Sequence, residues 1–204
     1  MIALIVLDYL GTLAFAISGA LKAVRREMDL FGLIVLAVVT AIGGGTVRDV
    51  MLGLRPFWFK DANYILLSLI AALLVFTLYR LVSRKETVLL WFDAVGLGAF
   101  TVIGASKAMA AGLGLAPTVV LAVLTGVGGG IIRDVLAADV PVVLRKEVYA
   151  SAGIIGAVVY WLMVQWQTPE WVATTVPMLL VTVVRLLSLH YGIGLPKLTG
   201  EEAE

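Results

Sequence analysis

The sequence predicts an all-α integral membrane protein with seven transmembrane helices: two inverted three-helix repeats plus a seventh helix, in a single domain over residues 1–204. Three observations carry this prediction. The composition is too apolar for water, seven apolar stretches have bilayer length, and the chain repeats itself at an offset of 85 residues. Hydrophobic residues make up 61% and charged residues 14%, with mean hydropathy +1.05. Counting the 21 Gly as well, the apolar share is roughly 71%, against ~45–50% apolar and ~25% charged in soluble domains. A chain of this size cannot bury so much apolar surface in water, so lipid is its solvent. A disordered chain would need low hydrophobicity, and a nucleic-acid partner would need a basic surface. The net charge of +1 supplies no such surface. The absence of Cys excludes disulfides, thiol catalysis and Cys-based metal sites, and a single His makes a metal centre or a His-based triad unexpected. No cofactor and no enzymatic activity are expected.

A helix needs about 20 mostly apolar residues to cross the hydrocarbon core. Seven spans meet this, at about 2–23, 30–47, 64–82, 88–108, 115–132, 148–166 and 171–189. Residues 1–23 could also read as a signal peptide, but MIALIVLD lacks a basic n-region and Asp8 interrupts the apolar run. The second and fifth spans contain Gly43-Gly44-Gly45 and Gly128-Gly129-Gly130. The loops are short and hold most of the charge. The period-2 alternation of a transmembrane β-barrel is missing.

Sliding the chain by 85 positions aligns DYLGTLAFAISGALKA from Asp8 with DAVGLGAFTVIGASKA from Asp93, TAIGGGTVRDV from Thr40 with TGVGGGIIRDV from Thr125, and Pro56 with Pro141. About 22 of the 57 positions from 8 to 64 are identical under this shift. Apolar composition does not put Asp, Lys, a Gly triplet, Arg-Asp and Pro in register. Repeat 1 covers about 2–82, repeat 2 about 88–166, and the seventh helix 171–189. Three crossings per unit invert the second copy, an arrangement found in many transport proteins. Basic residues give the orientation. Lys22, Arg25, Arg26, Arg80, Arg84, Lys85, Arg145, Lys146 and Lys197 fall on one face, and only Arg55, Lys60 and Lys107 on the other. Nine against three predicts the N-terminus outside and the C-terminus in the cytoplasm.

The candidate site residues follow from the cost of polar groups in lipid. Each interior Gly costs roughly 0.8–1.0 kcal/mol against Ala, so a triplet should kink or unwind its helix. Such breaks are tolerated only where protein or a water-filled cavity satisfies the backbone, which would expose carbonyls to a solute. Close helix–helix packing is the alternative use of small residues. Intramembrane charges normally face protein or water. Adjacent residues on a helix point about 100° apart, so the pseudo-two-fold suggests Arg48 with Asp134 and Arg133 with Asp49. Interfacial snorkelling is the other reading. Asp8 and Asp93 open corresponding helices and Lys22 and Lys107 close them, a polarity that suits the macrodipole. Alternatively, Asp8 and Asp93 line a cavity together with Ser18. Arg145, Lys146 and Glu147 stand where the copies diverge and suit a solvated helix start, a gate or an anionic-lipid contact. Arg185 and His190 read as dipole partners and interface anchors.

DYLGTLAFAISGALKA, TAIGGGTVRDV, GVGGGIIRDV and RKEVYA together resemble the prokaryotic trimeric intracellular cation (TRIC) channels, part of a wider bacterial family named for glycine transport (UPF0126-type). The resemblance spans essentially all 204 residues. It implies a homotrimer with a pore in each protomer, walled by helices 2 and 5 kinked at Gly43–Gly45 and Gly128–Gly130. It further implies K⁺ and Na⁺ as permeant ions, N-out and C-in topology, and a seventh helix completing the bundle. Lys146-Glu147-Val148 matches by letter the KEV triplet of animal members, which also bind phosphoinositide lipids. A prokaryotic inner membrane would offer other anionic lipids as partners. Basic rings favour anions, so cation conduction requires Arg48, Arg133, Lys22 and Lys107 to be paired or turned away. Carbonyls, Ser18, Thr40 and Thr125 would then replace the hydration shell. A secondary carrier for glycine or another small amino acid is the nearest rival, holding a carboxylate at a broken-helix N-terminus. A non-transporting scaffold comes from a third class.

Overall fold

The computed structural model describes residues 2–78, 86–145 and 148–193. The main helices are α1 (Ile2–Arg25), α2 (Leu30–Met51), α3 (Asn63–Leu78), α4 (Glu86–Ala110), α5 (Leu115–Leu136), a single turn α6 (Val142–Arg145), α7 (Val148–Gln165) and α8 (Glu170–Tyr191). Among the described residues, six helices are long and apolar enough to cross a membrane: α1, α2, α4, α5, α7 and α8. The described 16 residues of α3 rise about 24 Å, short of the ~30 Å hydrocarbon core. Its predicted end at 82 lies outside the described residues. Helices α2 and α5 run four residues beyond the expected 47 and 132. The charges that suggested an end there are satisfied within the protein.

The duplication is visible down to the turns. The turn after α2 holds Gly53 at φ +68°, and there the Leu54 N–H donates to the Asp49 carbonyl. Eighty-five residues on, Ala138 takes φ +53° and the Asp139 N–H donates to the Asp134 carbonyl. The turns after α1 and α4 match likewise, with Glu27 at φ +54° and Gly112 at φ +76°. An L-residue in this left-handed region costs ~1–2 kcal/mol, partly offset by glycine's greater entropy in the unfolded chain. Ala138→Gly should therefore stabilise the protein by about 1 kcal/mol, read as a higher midpoint of thermal unfolding in detergent.

Helices α1, α2 and α3 pack as one bundle and α4, α5 and α7 as its copy; α1 meets α4 and α2 meets α5 between them. Helix α8 lies against α4 and α7, outside the duplication. The contacts between bundles come in reciprocal pairs, which defines a two-fold axis. A Cβ on Gly11 would press on Ala99 and Phe100, and one on Gly96 would run into Phe15. Phe15 and Phe100 are buried, with ring centroids 5.2 Å apart.

The glycine triplets do not unwind their helices, one of the two forms of break expected of them. Helices α2 and α5 are α-helical without interruption through Gly43–Gly45 and Gly128–Gly130. Their role is close approach instead. A Cβ on Gly44 would collide with the Thr125 carbonyl oxygen, and one on Gly129 with the Thr40 carbonyl oxygen. The two backbones cross with no room for a methyl group, while each keeps its own hydrogen-bond ladder. This is small-residue packing between membrane helices.

A buried charge layer as the candidate permeation site

Arg133 is fully buried, one turn beyond the α2–α5 crossing. Its Nη1 donates to Asp93 Oδ1 at 2.5 Å and to Ser18 Oγ at 2.6 Å, and its Nε to Asp134 Oδ1 at 2.9 Å. Three helices thus converge on one guanidinium: α1 through Ser18, α4 through Asp93 and α5 itself. Asp134 Oδ2 accepts the Val142 N–H at 3.0 Å, anchoring the segment that returns after Pro141. The first repeat copies part of this. Arg48 Nε donates to Asp49 Oδ1 at 2.8 Å, and Asp49 Oδ2 accepts the Phe57 N–H at 2.8 Å. Phe57 and Val142 are equivalent under the 85-residue shift. Arg48 also lies over the Phe57 ring, 5.6 Å from its centroid.

The expected cross-pairs, Arg48 with Asp134 and Arg133 with Asp49, do not form. Each Arg curls back onto its own neighbouring Asp, because the guanidinium reaches across the angular gap that Cβ directions alone would impose. The carboxylate's second oxygen is claimed by the returning loop, which fixes it on that side. Snorkelling is excluded for both Arg residues, since Arg48 is 1% and Arg133 0% exposed. Nor do Asp8 and Asp93 sit in a first helical turn; both lie about two turns inside their helices. Asp8 accepts from the Tyr64 hydroxyl at 3.0 Å, while Asp93 takes Arg133.

On the more basic face, Lys22 Nζ lies 2.5 Å from Asp139 Oδ2 and 3.5 Å from Asp134 Oδ1, and Arg26 also pairs with Asp139. Lys22, Arg26 and Asp139, with Arg25, Val140, Val142 and Arg145, line a cleft of about 360 Å³. Lys22 is therefore paired, whereas Lys107 is exposed at the end of α4. Lys146 and Glu147 lie outside the described residues. On the opposite face the Tyr9 hydroxyl donates to Asp61 Oδ2 at 2.7 Å and the Asn63 N–H to Oδ1 at 2.9 Å. Both bonds hold the Asp61 carboxyl below the usual carboxylate range.

Ser18, Arg133, Asp93, Asp134 and Lys22 are thus one connected group. Thr40 and Thr125 are buried at the crossing, their hydroxyls donating to Leu36 and Leu121 carbonyls at 2.5 and 2.6 Å. With the hydroxyl hydrogens engaged, the oxygen lone pairs remain as acceptors. Sequence reasoning missed Asp139, whose aligned residue is Leu54 and which no repeat signal marks. It also missed Tyr64 and Tyr149, although these are identical at the 85-residue offset. Arg185 is 1% exposed and packed over the Tyr149 ring at 4.7 Å, not an interface anchor. His190 is exposed at the end of α8.

The fold and its buried charges define a multi-pass helical membrane protein of duplicated three-helix units. Residues 5–80 and 90–165 each match the glycine transporter family, the two matches lying 85 residues apart. The chain belongs to that family, whose bacterial members carry the designation UPF0126. It is 42% identical over 199 residues to the UPF0126 inner membrane protein YadS of Escherichia coli K12, covering 96% of each chain. A UPF0126 membrane protein of Deinococcus radiodurans is 43% identical over 193 residues, covering 93% of this chain and 89% of that one. Among solved structures, the TRIC trimeric intracellular cation channel orthologue from Rhodobacter sphaeroides superposes with a TM-score of 0.90 at 36% identity. That match covers 95% of this chain and all of that one. A second TRIC cation channel structure gives 0.87 at 39% identity, covering 97% and 98%.

Proposed function

We propose that the protein is a passive cation channel for K⁺ and Na⁺, assembled as a homotrimer with a pore in each protomer and set in a prokaryotic inner membrane. The observation that carries this reading is full-length likeness to TRIC cation channels at 36–39% identity. The charge layer supports it. Arg48 and Arg133 are neutralised by Asp49, Asp93 and Asp134, and Lys22 by Asp134 and Asp139, while Lys107 is exposed at the end of α4. The anion preference that a bare basic ring would impose is thereby removed. Thr40 and Thr125 offer hydroxyl oxygens at the α2–α5 crossing, where a partly dehydrated cation can be coordinated, and Ser18 joins them once Arg133 releases it. Two barriers stand across this path: the Phe15–Phe100 pair at the centre and the Arg133 cluster on the basic face. Both have to part for conduction. The nine-to-three bias of basic residues supports an external N-terminus and a cytoplasmic C-terminus.

The family's own description favours one second reading, a carrier of glycine or another small amino acid. Continuous α2 and α5 weigh against it, because neither offers the free half-helix N-terminus that would hold a carboxylate. Flux into sealed vesicles separates the readings. Purified protein should admit tracer K⁺ without saturating at low millimolar salt and leave glycine outside. Saturable glycine uptake with no K⁺ flux would overturn the channel assignment.

A further inference from the structure

Five buried polar atoms on α4, α5, α7 and α8 make no hydrogen bond: Asp93 Oδ2, Arg133 Nη2, the Tyr149 hydroxyl, and Nε and Nη2 of Arg185. A Cβ on Gly130 would lie 3.1 Å from the Tyr149 hydroxyl, 3.4 Å from Asp93 Oδ1 and 3.6 Å from Arg133 Nη2, so these groups crowd one point. Arg185, on α8, lies over the ring of Tyr149, 4.7 Å from its centroid. One turn earlier, Thr182 reaches the carbonyl of Ala94, the residue after Asp93, at 3.4 Å. Arg185's side-chain bonding is a single 3.4 Å contact from Nη1 to Ser188, so this buried cation is held mainly by the Tyr149 ring. An uncompensated buried charge is strongly destabilising, and its retention calls for a use.

The first repeat shows what that use is. There the tyrosine equivalent to Tyr149 is bonded to the aspartate equivalent to Asp93, Tyr64 to Asp8 at 3.0 Å, while Arg48 sits on Asp49. In the second repeat Arg133 holds Asp93 at 2.5 Å, and the Tyr149 hydroxyl lies beside the carboxylate without closing a full hydrogen bond to it. The same three-helix unit thus occurs in two arrangements within one molecule, tyrosine-on-aspartate and arginine-on-aspartate. We propose that Arg185 is the reserve counter-ion of Asp93: when Arg133 moves away, the Tyr149 hydroxyl and the Arg185 guanidinium take over the carboxylate. Helix α8 lies outside the duplication, so only the second repeat has this second cation. Arg133, whose further partners are Ser18 of the opposite repeat and its own neighbour Asp134, can then leave Asp93 without stranding its charge, while Lys22 at 3.5 Å stays with Asp134. The proposal rests on the channel reading in taking this exchange as part of opening. Arg185 is in these terms a positioning residue.

A double-mutant cycle on thermal unfolding of the detergent-purified protein tests the exchange without any transport assay. Arg185→Met alone should leave the unfolding midpoint unchanged or slightly raised, because it removes a cation with almost no bonding. Arg133→Met should lower it moderately, with Arg185 and Tyr149 covering Asp93. The double variant should lose clearly more than the sum of the two, and Arg133→Met with Arg185→Lys should regain most of that extra loss. In planar bilayers, Arg185→Met should cut open probability at least tenfold at unchanged unit conductance. An additive cycle, or an Arg185→Met variant as unstable as Arg133→Met, would overturn the proposal, as would unaltered open probability. Should the wild-type protein pass no current, the channel reading falls and the cycle alone decides the counter-ion claim.

Discussion

Replacing Gly44 or Gly129 with Leu should prevent α2 and α5 from meeting and abolish a stable fold. Ordinary overpacking costs ~1–3 kcal/mol because neighbouring side chains adjust. Here a first side-chain carbon already collides with a backbone carbonyl of the facing helix, Thr125 for Gly44 and Thr40 for Gly129. Neither carbonyl can move without its helix. The expected loss therefore lies above ~4 kcal/mol, the range that marks an exceptional substitution. It would be seen as aggregated protein or a collapsed unfolding midpoint in detergent. Gly44→Ala should be milder but still severe, since the clash begins at Cβ. Gly153→Ala is the matched control, because its new Cβ would find Thr101 and Val123 at an ordinary 3.5 Å. That variant should keep or slightly gain stability through better helix propensity. Equal tolerance at Gly44 and Gly153 would show that the helices do not cross as closely as described.

Asp93→Leu should be the most damaging single change in the charge layer. Asp93 and Arg133 are both 0% exposed, and removing one member of a buried pair typically costs about 3–5 kcal/mol because the survivor is left uncompensated. Arg133 loses its 2.5 Å counter-ion here. Adding Arg133→Met should recover at least half of the loss, since replacing a whole buried pair by apolar groups is often neutral. A double variant as unstable as Asp93→Leu would mean that Asp93 acts through something other than Arg133.

Much of the architecture is legible in the sequence because lipid makes composition a strong constraint. Spans of bilayer length, the 85-residue repeat and the residues that matter most (Gly44, Gly129, Arg133, Asp93, Asp134, Ser18) all follow from the cost of polar or flexible groups in hydrocarbon. How those residues are used is less visible. A Gly triplet reads as a break or as a close contact, and it is the facing carbonyls of Thr40 and Thr125 that reveal the contact. Arg48 and Arg133 were expected to seek a partner across the two-fold axis. The loop N–H groups of Phe57 and Val142, which hold each Asp beside its own Arg, carry no signature in a linear pattern. Backbone donors are the same at every residue. Asp139 escaped notice because a loop carboxylate after an apolar span looks like ordinary solvated surface. Its importance arises from Lys22 and Arg26, more than 110 residues earlier in the chain.

Current through purified protein in a planar bilayer, recorded under a KCl gradient, tests the central claim most directly. A cation channel predicts discrete unitary steps whose current reverses near the K⁺ equilibrium potential. Reversal near the Cl⁻ potential would show that the basic residues are not neutralised as described. A silent bilayer, from protein that still takes up glycine saturably in vesicles, would contradict the channel reading altogether.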